Sequence, residues 1–154
     1  MNKLRKHILY LAIGEFAALC TFMIVYKLLA LGTASFMAFL YLIFILLQGS
    51  LYWFYCYGLI LKRRCFNPKV IKFLGIFRHL NLIILVAISI AIPFTWSNLV
   101  DLIIAVGIFL FGIIEYINYY WYRLSYGKSG FNIKILFDTG LKKSSINKMI
   151  HRYE

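Results

Sequence analysis

The chain has 154 residues, 63% of them hydrophobic and 14% charged, with a mean hydropathy of +0.82. Soluble domains run near half apolar and a quarter charged, so this composition excludes an ordinary soluble fold and leaves no room for a soluble catalytic domain. The net charge of +12 would point to nucleic acid in a soluble protein, but here the 17 Lys and Arg lie in blocks between long apolar stretches, and nucleic acid is not needed to explain them.

Lys3, Arg5 and Lys6 precede the first apolar stretch, about His7 to Leu31. A cleavable leader has an apolar core of about 7 to 15 residues. This stretch is longer and carries an acid, so it is expected to remain as a span. The second stretch, Phe36 to Leu61, ends at Lys62-Arg63-Arg64. The third runs from about Lys72 to Trp96, with Pro93 near its outer end, where a lost backbone hydrogen bond costs little. The fourth covers about Leu99 to Tyr122. Only Lys27 lies away from the three basic blocks at Lys3–Lys6, Lys62–Arg78 and Arg123–Arg152, so 16 of 17 basic residues fall on one side of a four-span arrangement. That asymmetry predicts a multi-pass protein of the cell membrane with both termini cytoplasmic. The bilayer and its anionic lipid headgroups are the partners expected first.

The outer connections, Gly32 to Ser35 and Trp96 to Asn98, are short enough to predict two tight antiparallel hairpins. The inner connection, Lys62 to Ile71, contains the turn signal Asn67-Pro68. The fold expected is all-α: a polytopic four-transmembrane-helix antiparallel bundle over residues 1–124, then a basic amphipathic cytoplasmic tail over 125–154. The tail opens with Gly127 and Gly130 and continues through Phe131, Ile133, Ile135, Leu136 and Phe137 to Asp138-Thr139-Gly140. That triplet echoes an aspartic protease but has no partner copy and no β framework. Ser144-Ser145 then precede Ile146, Met149 and Ile150 at helical spacing. With no soluble core to join, these apolar residues predict one or two short helices on the inner headgroup surface. Trp53, Tyr55, Tyr57, Trp96, Tyr116, Tyr119, Tyr120, Trp121, Tyr122 and Tyr126 cluster near span ends, as an aromatic belt does.

Ionisable side chains at membrane depth are costly and therefore candidates for function, with structural pairing as the alternative. At about 1.5 Å per residue, Glu15 on the first helix lies roughly 12 Å inside the inner boundary and Glu115 on the fourth roughly 10 Å inside it. Arg78 and His79 on the third helix are near that level, Asn81 is slightly deeper, and Gln48 on the second is close to the midplane. Glu115, Asn118 or Tyr119, Tyr122 and Tyr126 recur every three or four residues, forming one stripe; Tyr41, Gln48, Tyr52 and Tyr55 share a face of the second helix. The candidate site is thus Glu15, Gln48, Arg78, His79, Asn81, Glu115, Asn118 and Tyr119. Two readings stand. One is a cavity open toward the cytoplasm that binds a cation, a proton or a lipid headgroup. The other is an internal network in which Arg78 neutralises a glutamate, unless its long stem snorkels to the surface.

His7, His79 and His151 share no metal-ligand spacing, and no metal or cofactor is expected. Cys20, Cys56 and Cys65 contain no CxxC, and no disulfide framework is expected; Cys65, beside Arg63-Arg64, is a candidate for acylation. Gly14, Ala18 and Thr21 make a small-residue face suited to close helix contact within or between subunits.

The run from Glu115 through Asn118, Tyr119, Tyr120 and Trp121 to Tyr126, followed by Leu141-Lys142-Lys143-Ser144-Ser145, resembles the end of small, uncharacterised four-helix membrane proteins of Gram-positive bacteria. The resemblance covers about a quarter of the chain and implies a fold but no activity. In plan the chain is also similar to the small multidrug-resistance proteins, which have four helices and a membrane-embedded glutamate in the first; the match stops at Glu15.

Three functions compete. The first is an accessory, regulatory or interaction component of the membrane, which would pair with another membrane protein or with itself. The second is a small oligomeric transporter or a lipid- or cation-binding protein using Glu15 and Glu115. The third is a lipid-modifying enzyme with those two acids as an acid/base pair, which lacks an accompanying nucleophile or phosphate-binding loop.

Overall fold

The computed structural model describes residues 3–28, 32–124 and 142–153. The tail segment from Tyr126 to Phe137, with its two glycines, and Asp138-Thr139-Gly140 lie outside the described residues, as does the Lys27 side chain. The described chain forms five helices: α1 Lys3–Leu28, α2 Thr33–Lys62, α3 Pro68–Thr95, α4 Leu99–Tyr120 and α5 Ser145–Tyr153. The first four are long and apolar enough to cross a membrane.

The helix boundaries follow from caps. The expected start of the third span, Lys72, is four residues late, because Asn67-Pro68 is a helix start rather than only a turn. The Asn67 side chain accepts from the Lys69 N–H at 3.0 Å, and Pro68 occupies the first turn, where its missing donor is harmless. α2 ends at Arg63, which adopts φ 48°, a left-handed stop that an arginine takes only with some strain. Asn98 caps α4 by accepting from Asp101 N–H at 2.8 Å.

α2 is the shared wall of the molecule. It packs extensively against α1 and α4 and less closely against α3, while α1 reaches α4 through side chains, as where the Phe22 and Phe111 rings lie 5.6 Å apart. Tyr41, Leu42, Ile45, Leu46 and Tyr52 of α2 fill the core with Leu85 of α3 and Tyr116, Tyr119 and Tyr120 of α4. Gly112 lets the Tyr41 ring press against the α4 backbone, since a Cβ there would lie 2.9 Å from the ring.

α5 corrects one expectation. Ile146 and Ile150 do not lack a core to join: both are buried in the cluster that contains Tyr52, Ile71 and Leu74, and the helix packs on α3 and α4. Its start is pinned by Ser144 Oγ, which accepts from Asn147 N–H at 3.1 Å. A short bridge of Tyr122 with Lys143 and a bond from Ser144 N–H to Trp121 O (3.0 Å) hold the incoming chain against the end of α4.

At the opposite end Asp101, 4% exposed, joins two helix starts. Its carboxylate accepts from the Ser35 hydroxyl, from Ser35 N–H at 3.1 Å and from Ser97 N–H at 3.1 Å. The N-cap of α2 is Gly32, which has no side chain to offer, so Asp101 supplies the anion that the α2 N-terminus lacks while sitting in the first turn of α4. A side chain at Gly32 would collide with that carboxylate. Asp101→Ala should therefore lower stability by about 1–2 kcal/mol, the usual value of a lost cap. Reversible unfolding of the full chain in mixed micelles measures it; an unchanged midpoint would show that the cap is dispensable.

Candidate functional site

The tyrosine-rich end of α4 is where the helices are tied together. Tyr116, Tyr119 and Tyr120 are 4%, 5% and 0% exposed, so these three are interior groups rather than members of an interfacial belt. Each hydroxyl donates to a different helix. Tyr116 donates to the Arg78 carbonyl of α3 at 3.1 Å, Tyr119 to the Glu15 carboxylate of α1, and Tyr120 to Gln48 Oε1 of α2 at 2.7 Å.

Tyr119 must cross α2 to reach α1, and it does so over Gly49. A Cβ at position 49 would meet the Tyr119 ring and lie 2.6 Å from its hydroxyl oxygen. The absence of a side chain there is what permits a phenol on α4 to serve a carboxyl on α1. Glu115 lies one turn before Tyr119 on α4, close enough to Glu15 for the two carboxyls to interact electrostatically. Its carboxylate accepts from Asn118 Nδ2 at 3.4 Å, and Asn118 Oδ1 accepts in turn from Leu124 N–H at 3.0 Å. Glu15 and Glu115 are both half-buried.

Beside this cluster lies a cavity of about 60 Å³ lined by Glu15, Tyr52, Asn118, Tyr119, Arg123 and Ser144, among others. About 10–15 Å³ of such space holds one water, so the cavity has room for several water-sized groups. Its walls offer carboxylate and amide acceptors, hydroxyls and a guanidinium, a set suited to a small cation or a hydrogen-bonding headgroup.

The other predicted residues fall elsewhere. Gln48 and Asn81 form a separate network: Asn81 Nδ2 donates to Gln48 Oε1 at 2.8 Å and to Phe77 O at 2.8 Å, and Gln48 Nε2 donates back at 3.4 Å. Asn81 is fully buried, and this is a core lock between α2 and α3. Among the described residues Arg78 does not pair with a glutamate. Its guanidinium carbon sits 4.0 Å from the centre of the Trp121 ring, a cation–π contact at the end of α4. His79 is exposed on the other side of α3, near Lys72 and Ile150. Of the eight candidates, Glu15, Glu115, Asn118 and Tyr119 are brought together. Among the described residues no cluster of His, Cys, Asp or Glu could hold a metal ion.

Sequence reasoning missed Asp101, Gly49 and the division of labour among the three tyrosines. Asp101 had a signal, an acid in the first turn after an Asn three residues back. Gly49 had a weaker one, an isolated glycine within a long helical pattern.

Fold and site together define a small, all-helical multi-pass membrane protein. Comparison with protein-family models, curated proteins and solved structures gave no match for the chain.

The close passage of Tyr119 over α2 yields a direct expectation. Gly49→Ala should displace the phenol from Glu15 and lower stability by about 1–3 kcal/mol, as overpacking of a tight contact does. Unfolding in mixed micelles reads it, and a fully neutral substitution would mean that Tyr119 does not pass over Gly49.

Proposed function

We propose that this chain is an accessory or regulatory component of a bacterial cytoplasmic membrane, with α1 to α4 antiparallel in chain order, both termini inside, and a basic amphipathic α5 at the inner surface. The ring contacts support the alternation: Phe16 meets Phe54 while Tyr26 meets Phe36 and Phe39, so α1 and α2 run in opposite senses. α5 turns Ile146 and Ile150 inward and leaves Lys148, His151 and Arg152 exposed, which supports the amphipathic reading. Anionic headgroups are the counterions of that basic side.

The observation that carries the accessory role is the placement of α1. Its close backbone packing is against α2, it meets α4 through side chains, and 11% of its apolar window is buried, against 56% for α2. A helix so little enclosed presents most of its surface for contact with another membrane protein, and Tyr119 holds it in one register through Glu15.

A second reading, a small oligomeric binding or transport protein, is favoured by a polar cavity lined by Glu15 and by Asn118, which donates to Glu115. Purification of the full chain in mild detergent separates the two. The accessory role predicts a monomer that crosslinks, from photoreactive groups at Tyr10 and Met23 on α1, to a second membrane protein. A homo-oligomer whose cation binding is lost in Glu15→Gln and Glu115→Gln would favour the transporter instead.

The orientation is tested on intact cells. Cysteines placed at 66 and 128 should resist membrane-impermeant thiol reagents, and labelling of either from outside would reverse the topology.

A further inference from the structure

The looser packing of α2 on α3 leaves three cavities in a row along one face of α2. The outermost, about 390 Å³, and the middle one, about 440 Å³, share Phe44 as a wall; the middle one and the last, about 340 Å³, share Tyr55. The middle cavity is lined by Phe44, Leu47, Leu51, Phe73 and Phe77, with Tyr55 at its end. Its one amide, Gln48, is engaged by Asn81 and Tyr120. The groove is therefore apolar in effect, and Leu51 and Phe73, 60% and 57% exposed, mark its open side.

The last cavity has a different chemistry. Lys62 and Arg64 line it, together with Cys65 and Asn67. The Tyr55 hydroxyl accepts from Asn67 N–H at 3.4 Å, which fixes the α2–α3 turn over this mouth. Lys62 and Arg64 are exposed, and neither side chain has a partner among the described residues.

An apolar groove that opens at one end on two unpaired cations matches an anionic phospholipid. From Phe44 to Tyr55 is 11 residues, or about 17 Å of helix, close to the roughly 15 Å of one leaflet's hydrocarbon. We propose that the α2–α3 groove is a binding site for one anionic phospholipid, with an acyl chain between Phe44 and Tyr55 and the phosphate held by Lys62 and Arg64. The site depends on the chain lying in a bilayer and not on which leaflet the basic mouth faces, nor on the role of α1.

The test is native mass spectrometry of the full chain after reconstitution in vesicles of equal phosphatidylglycerol and phosphatidylcholine. One phosphatidylglycerol should be retained per chain, with a preference on the order of tenfold over phosphatidylcholine, as two nearby cations provide. Lys62→Gln with Arg64→Gln should abolish the preference, while removal of the same charge off the groove, Lys69→Gln with Lys72→Gln, should leave it. Leu51→Trp, which narrows the groove, should reduce retention of both lipids. Equal retention of the two lipids by the parent chain, or equal losses in the two charge variants, would overturn the site. So would unchanged retention in Leu51→Trp, or an acyl chain found covalently on Cys65. Circular dichroism checks that each variant folds, and the parent ratio stands as a test even where one does not.

Discussion

A carboxyl on a membrane-embedded helix must be given hydrogen-bond partners by the helices around it, because the hydrocarbon offers none. In this protein that constraint is met by one phenol. Tyr119 leaves α4, passes over α2 where Gly49 has no side chain, and donates to Glu15 on α1. α1 packs closely on α2 and reaches α4 by side chains, of which this contact is polar and that of Phe22 with Phe111 apolar. Glu115 lies one turn before Tyr119 and is held by Asn118, so the two acids sit beside one turn of α4.

Tyr119 belongs to a set. With Tyr116 and Tyr120 it lets one turn of α4 bond to each of the other three long helices. Interhelical hydrogen bonds within membranes average about 0.6 kcal/mol and reach about 1.7, so the three together contribute only a few kcal/mol. Their larger effect is on register, since each fixes the depth of one helix relative to α4. The far end is fixed differently, by Asp101, whose carboxylate accepts from Ser35 N–H at the start of α2 and from Ser97 N–H just before α4. Between these two fastenings α2 and α3 meet less closely, and the space left between them is apolar along most of its length.

The four spans were legible because hydropathy and basic blocks are strong, long-range signals. Two helices, α1 at Lys3 and α3 at Pro68, start four residues before the apolar stretches that announced them, and at Pro68 a turn signal and a helix-capping signal coincide. That Glu15 and Glu115 lie near one another along the bundle could also be read, since rise per residue converts position to height. What could not be read was azimuth. Periodicity put Asn118 and Tyr119 on a stripe with Glu115 but could not say that Arg78 would turn to Trp121, or that Gln48 and Asn81 would close on each other instead of joining the acids. The tyrosines were ambiguous for the same reason, because an aromatic near a span end reads as belt unless the neighbour that accepts its hydroxyl is known. That Ile146 and Ile150 of α5 would find a core was not legible, because their partners, Ile71, Leu74 and Tyr52, lie far away in sequence.

The central claim, that Tyr119 and Glu15 lock α1 to α4, is tested most directly by a double-mutant cycle with Tyr119→Phe and Glu15→Gln, read as unfolding free energy of the full chain in bicelles. The lock predicts a coupling energy of about 0.6–1.7 kcal/mol between the two positions. Effects that add to within about 0.3 kcal/mol would show that the two side chains do not act on one another, and would contradict it.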